Sequence, residues 1–263
     1  MDWNELTARP RVMGILNCTP DSFYDGAEAD FSARAEKALN LLAAGADIID
    51  VGGESTRPGA TPVSAKEECA RVVPVIKAIR RQSSAPISID TRHAETARAA
   101  LDAGADIIND VLAADPAVGG EAEMLEVART RNAPIILMHS RGLPTAGRVY
   151  RYENLVREVT DYLLARAEAA QGLRVVLDPG FGFGKNPEQN WELFRGLPSL
   201  CPALHRRDCP VLVGVSQKSM FGGDPAARTE KSVEAAVAAV RAGADWVRVH
   251  NVRETRERIK NFL

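Results

Sequence analysis

The sequence predicts a (β/α)8 barrel, one domain over residues 1–263, from three observations. Eight short apolar, β-rich runs alternate with amphipathic stretches; the tetrapeptide Ala-Gly-Ala-Asp recurs between a helical pattern and the next run; and each run closes on or beside a polar residue. A doubly wound open sheet is the alternative that the same alternation allows.

The runs are "RVMGILN" from Arg11, "ADIIDVG" from Ala46, "PISID" from Pro86, "ADIIND" from Ala105, "PIILMH" from Pro134, "RVVLD" from Arg174, "PVLVGV" from Pro210 and "ADWVRVH" from Ala244. They read as parallel strands buried on both faces, with amphipathic stretches such as "ARAEKALNLLAAG" and "VEAAVAAVRAG" as the connecting helices. "AGAD" stands at 44–47, 103–106 and 242–245. Its glycine suits a left-handed helix stop, and its aspartate is expected to open the next strand in solvent. The residues at or just past the ends of the runs include Asn17, Asp50, Asp90, Asn109, His139, Asp178, Ser216 and His250. Apolar strands with such ends make a polar mouth above an apolar interior. The long loops 18–31, 53–63 and 140–151 fall on that same side, whereas the helix-to-strand connections are tight. That asymmetry is expected of an enzyme with loops closing over one rim.

Bulk composition excludes some functions. The formal net charge is −2 with 26% charged residues, so nothing draws the chain to nucleic acid or to an anionic membrane. Any bound anion must be held by local groups. Cys18, Cys69, Cys201 and Cys209 form no Cys-x-x-Cys pair, and no apolar run approaches the length of a membrane span. A cytoplasmic protein is expected, with neither nucleic acid nor membrane as partner. The four histidines, His93, His139, His205 and His250, suggest no triad, and no nucleophile–base pair is evident.

The segment "LDPGFGFGKN" (177–186) raises the question of a phosphate loop, and both common templates fail. The Walker pattern needs glycine at Pro179 and a hydroxyl residue at Asn186; the dinucleotide pattern needs glycine at Lys185. Asp178, where a strand meets the glycine turn, points instead to a carboxylate that reads a ligand.

Eight motifs in order, "ILNCTPDSFYDG" (15–26), "DVGGESTRPGA" (50–60), "SIDT" (88–91), "IND" (108–110), "MHSRGLP" (138–144), "DPGFGFGKN" (178–186), "KSMFG" (218–222) and "RVH" (248–250), resemble those of the dihydropteroate synthase family. The resemblance implies a (β/α)8 transferase that joins p-aminobenzoate to a dihydropterin-methyl pyrophosphate in folate biosynthesis. By resemblance, Asp178, Asn109, Lys218, Asp90 and Phe183 bind the pterin, and Asp90, Lys218, Arg248 and His250 serve catalysis. Asn17, Arg57, Arg248 and His250 are implied for pyrophosphate. Asn17 is also implied for Mg2+, which the substrate's own phosphates and water would mainly hold. Pro20, Phe23, Thr56, Pro58 and Ser219 would shape the p-aminobenzoate pocket, with Ser219 at a helix start. Arg248 and His250 alternate on the last run and are expected to face one side. A homodimer, sulfonamide inhibition and dissociative loss of pyrophosphate before amine attack are further implications.

Four positions depart from the family pattern. Gln217 stands where arginine is usual, Asn251 for aspartate, Ser140 for methionine and Lys231 for glycine. The alternatives are a pterin-binding relative without synthase activity and a methyltetrahydrofolate-dependent methyltransferase on the same barrel. The methyltransferase should not need the loops 18–26 and 53–60 or "KSMFG", which this chain has.

Overall fold

A computed structural model of the chain describes residues 2–8, 10–19, 28–55, 59–142 and 148–261. The strands are β1 (Arg11–Asn17), β2 (Ile48–Gly52), β3 (Ile87–Asp90), β4 (Ile107–Asp110), β5 (Ile135–Met138), β6 (Val175–Asp178), β7 (Leu212–Val213) and β8 (Trp246–Val249). All pair in parallel in the order β6-β5-β4-β3-β2-β1-β8-β7, and a parallel bridge from Leu177 to Val211 joins the two ends into a barrel. The helices are α1 (Trp3–Thr7), α2 (Glu28–Ala43), α3 (Ala65–Arg80), α4 (Ala94–Ala103), α5 (Glu123–Thr130) and α6 (Leu155–Ala169). Two helices, α7 (Pro187–Arg195) and α8 (Leu197–His205), follow β6; then come α9 (Pro225–Arg241) and a short α10 (Val252–Lys260). The barrel reading holds, and the open sheet is excluded by closure.

Strand alternation sorts the apolar residues into two cores. Residues such as Val12, Ile49, Ile108, Leu137, Leu177 and Val247 pack outward among the helices. Met13, Ile48, Ile107, Ile136, Val176, Leu212 and Trp246 form a separate inward cluster with Leu6. Each fully buried side chain of this kind contributes about 1.5–3 kcal/mol of transfer free energy. Two residues further along, the same inward face turns polar: Asp50 follows Ile48, Asn109 follows Ile107, Asp178 follows Val176 and Arg248 follows Trp246. The polar layer of the mouth is therefore a consequence of strand periodicity.

The N-terminal end of the barrel is sealed by α1, whose Asp2 accepts from the Asn4 N–H at 3.0 Å. The Trp246 indole N–H donates to the Leu6 carbonyl at 3.2 Å, and the Trp3 and Trp246 rings lie 6.1 Å apart. The repeated glycines end their helices in the left-handed region, at φ 103°, 112° and 104° for Gly45, Gly104 and Gly243. The repeated aspartates correct the expectation of a solvated strand start. Asp47 accepts the Val12 N–H at 2.8 Å, Asp106 the Ile87 N–H at 2.9 Å and Asp245 the Val211 N–H at 2.7 Å. Each carboxylate thus caps an amide at the start of the preceding strand in the barrel. Arg256 and Arg11 pair with Asp47, Arg80 with Asp106 and His205 with Asp245. No helix among the described residues is long and apolar enough to cross a membrane.

Candidate active site

The inward polar layer is organised around one guanidinium. Arg248 on β8 donates from Nε to Asp50 Oδ2 at 2.5 Å and from Nη2 to Asp90 Oδ2 at 2.6 Å. The Asn109 amide donates to the same Asp50 carboxylate at 3.2 Å. Four strands, β2, β3, β4 and β8, therefore converge on one charged cluster. Burial pushes the Asp90 carboxyl up to about 7; the Arg248 guanidinium opposes that shift, and Asp50 adds to it. Arg248 itself is held well above its ordinary range because Asp50 and Asp90 outweigh its burial.

Asp178 lies across the mouth at the end of β6 and is buried. Its Oδ1 accepts the Gly180 N–H at 2.7 Å, while Oδ2 has no hydrogen bond among the described residues. Burial raises this carboxyl to about 6, against the pull of the Gly180 N–H and of Lys218 and Arg248. Burial and Arg248 together lower the Lys218 ammonium to about 8. Its Nζ stands 4.5 Å from the centroid of the Phe183 ring. The result is a carboxylate with one free oxygen, an amide, an ammonium and an aromatic face at one rim. That set suits a flat, polar-edged heterocycle.

The glycine turn requires its glycine at position 180. With φ of 72°, a Cβ there would fall 2.0 Å from the His139 carbonyl oxygen. Lys185, which follows the turn, points inward: its Nζ contacts Gly180 O at 2.8 Å, Phe183 O at 3.2 Å and His139 Nδ1 at 3.0 Å. Asn186 opens α7 with a capping box through Gln189.

The local structure at His250 and Ser219 differs from the sequence reading. His250 is exposed and lies just past β8, so it does not alternate with Arg248 on a strand. The pairing of β8 with β1 stops at Val249 and that with β7 at Val247, which leaves residue 250 without a ladder to orient it. Instead its Nδ1 sits 2.9 Å from the Ser216 hydroxyl. This is a serine–histidine contact that sequence spacing concealed. Ser219 is exposed, but it begins a three-residue 3₁₀ turn, Ser219–Phe221, rather than a full helix. The Asn17 side chain is exposed at the end of β1, and its backbone carbonyl receives Arg34 at 2.6 Å. Pro20, Phe23, Thr56, Arg57 and Pro58 lie outside the described residues. His139, buried against Tyr162 with ring centroids 5.0 Å apart, is pushed down to about 2 by burial and by Lys185.

Asp50 and Lys185 were absent from the sequence-derived site. Asp50 carried the strand-end signal without a partner to give it meaning, and the direction of Lys185 is set by contacts that no template encodes. Of the departures from the family pattern, Gln217 has φ of 59° and its amide donates to Thr229 at 2.9 Å. Ser140 donates to the Gly142 carbonyl at 2.7 Å, and Lys231 to the Phe221 carbonyl at 3.1 Å. The Asn251 Oδ1 is buried without a hydrogen bond among the described residues.

The family described as pterin binding enzyme matches residues 13–250. The dihydropteroate synthase of Synechocystis sp. is 45% identical over 263 residues, covering 95% of this chain and 87% of its own. The Xanthomonas albilineans dihydropteroate synthase solved with 4-aminobenzoic acid superposes with a TM-score of 0.86 at 40% identity, covering 97% of this chain and 92% of that one. The Yersinia pestis enzyme solved with a sulfonamide drug superposes at 0.85, with 40% identity and coverage of 97% and 94%.

Proposed function

The chain belongs to the dihydropteroate synthase family of pterin-binding enzymes, and from that premise we propose how its own residues perform the transferase reaction. It joins 7,8-dihydropterin-6-ylmethyl pyrophosphate to p-aminobenzoate, giving 7,8-dihydropteroate and pyrophosphate. The observation that carries the assignment of roles is Asp178, a buried carboxylate with one oxygen fixed by Gly180 and the other free. Its free oxygen and the lone pairs left on its partner accept the paired N–H groups of the aminopyrimidine edge, in a site where such bonds are strong. Asn109 completes that edge, and Lys218 donates to the ring carbonyl.

Pyrophosphate leaves first, and the arylamine nitrogen attacks the cation that remains. Asp90, beside the reacting methylene, stabilises this cation, so catalysis is electrostatic and positional. Among the described residues Arg248 engages two of its five N–H donors, with Asp50 and Asp90, and with His250 and Arg57 it meets the departing anion. The Ser216 contact orients the His250 ring; the reaction needs no covalent nucleophile.

Among the described residues no group of three or more His, Cys, Asp or Glu side chains could enclose a metal ion. The exposed Asn17 amide offers a single oxygen, which fits Mg2+ that keeps its water and takes phosphate oxygens from the substrate. When bound, Mg2+ would neutralise the pyrophosphate. The p-aminobenzoate pocket is assigned to Pro20, Phe23, Thr56, Pro58 and Ser219, with Phe183 and the Lys218 stem as one wall; sulfonamides should then compete with p-aminobenzoate. The family match from 13 to 250 supports a single domain, and the four free thiols support a cytoplasmic setting. Family resemblance is the basis for a homodimer.

The test mixes protein, Mg2+, the pterin pyrophosphate and p-aminobenzoate, and follows dihydropteroate by mass together with pyrophosphate release. Product from the wild type and none from Asp178→Ala is the expected result. Pterin binding without product would overturn the synthase reading for this chain.

A further inference from the structure

Lys185 is the least expected group in the site. It is buried, and its three hydrogen bonds go to two carbonyls and an imidazole rather than to a carboxylate. A buried ammonium without a bonded counter-ion is unfavourable, and an apolar side chain would pack there without that cost. What the ammonium supplies is direction: three N–H donors match three acceptors.

We propose that Lys185 is a positioning residue, an internal strut that holds the glycine turn so that Phe183 faces the substrate in working geometry. The proposal rests on the site roles assigned under Proposed function and extends them to a residue that touches no substrate.

The contacts run through the turn in sequence. Gly180 gives its N–H to Asp178 Oδ1 at 2.7 Å and its carbonyl to Lys185, so the pterin-reading carboxylate and the strut hold the two peptide units that flank Gly180. Phe183 gives its carbonyl to Lys185 while its ring stands over Lys218 Nζ. Between them, Gly182 donates its N–H to Asn190 Oδ1 at 2.7 Å, and the Asn190 amide returns a bond to the Lys185 carbonyl at 3.0 Å. Asn190 on α7 anchors the turn from outside, and Lys185 anchors it from within. His139 sits on the far side, its own N–H tied to the Asp178 carbonyl at 2.8 Å.

The imidazole partner also makes the strut tolerant of losing its charge. Burial lowers the Lys185 ammonium to about 7, with Asp178 opposing the shift and Lys218 adding to it. As an ammonium, Lys185 donates to His139 Nδ1. As a neutral amine, it keeps two donors for Gly180 and Phe183 and accepts from a protonated Nδ1 on neutral His139. Both forms leave the Lys185 nitrogen with three hydrogen bonds.

The experiment is a double-mutant cycle on equilibrium binding of 7,8-dihydropteroate, measured by calorimetry with wild type, Lys185→Met, Phe183→Ala and the double variant. The expected result is about tenfold weaker binding for Lys185→Met alone, and less than about twofold further loss when it is added to Phe183→Ala. An equal loss in both backgrounds, or wild-type affinity in Lys185→Met, overturns the proposal. If Lys185→Met does not fold, His139→Ala removes one of the three bonds. It is read in the same cycle, with about threefold weaker binding expected alone and the same non-additivity with Phe183→Ala. Turnover of the wild type is measured separately and decides only the synthase reading, because the cycle needs binding and no chemistry.

Discussion

The two rims of the barrel both carry aspartates at strand ends and use them in opposite ways. At the N-terminal rim Asp47, Asp106 and Asp245 accept a backbone N–H and pair with arginine or histidine. At the C-terminal rim Asp90 and Asp178 are pressed into a buried polar layer that raises both carboxyls, to about 7 and about 6, with Asp178 keeping one oxygen free. The first set closes the ends of the ladder. The second accepts desolvation that a ligand can relieve. Stability and recognition thus occupy opposite ends of the same strands.

The comparison breaks most clearly at Asp178. Asp178→Ala should weaken pterin binding at least about 100-fold by calorimetry, the loss of two charge-assisted hydrogen bonds. A tenfold loss or less would place the reader elsewhere. At the opposite rim, Asp106→Ala should lower the denaturant-derived stability by about 2–3 kcal/mol, because the Ile87 N–H and the Arg80 guanidinium lose their acceptor. Its KM values should stay at wild type.

The sign of the stability effect sharpens the contrast. Asp178→Asn removes a desolvated charge while leaving an oxygen for Gly180, so at pH 7 it should stabilise the fold by about 1–2 kcal/mol even as binding fails. The folded pKa of Asp178 is raised to about 6 from 3.8. Its contribution to stability is therefore fully present below 3.8 and lost as pH rises through about 6. The advantage of the Asn variant should accordingly vanish near pH 4, and thermal melts from pH 4 to 8 would reveal it. Pterin affinity moves the other way, falling as pH drops below about 6 and the carboxylate takes up its proton.

The smallest effect is expected at Gln217. Its side chain reaches Thr229 on α9, so Gln217→Arg should change kcat by no more than about threefold. A tenfold gain would mean that the departure from the family pattern limits this enzyme.

Short-range chemistry made much of this legible in the chain. Apolar runs of five to seven residues, glycines at the ends of helices and polar residues at strand ends are local signals, and they were enough for eight strands and a polar mouth, while closure of the sheet excluded the open alternative. Asp90, Asn109 and Asp178 were marked by their places at the ends of apolar runs, and the family resemblance then supplied their roles. The rest depends on partners distant in sequence. Arg248 meets Asp50 across 198 positions, and Trp246 meets Leu6 across 240. The aspartates of the repeated tetrapeptide look solvated until the neighbouring strand presents its first amide. His250 left its strand because the ladder ended before it, and Lys185 turned inward because His139 and two carbonyls waited there. The sequence by itself determined the elements and the faces on which their polar residues lie, since those follow from neighbours along the chain. Only the closed barrel decided which carboxylates are neutralised, which are left desolvated and where the buried ammonium points, since burial and pairing are properties of atoms brought together from distant segments.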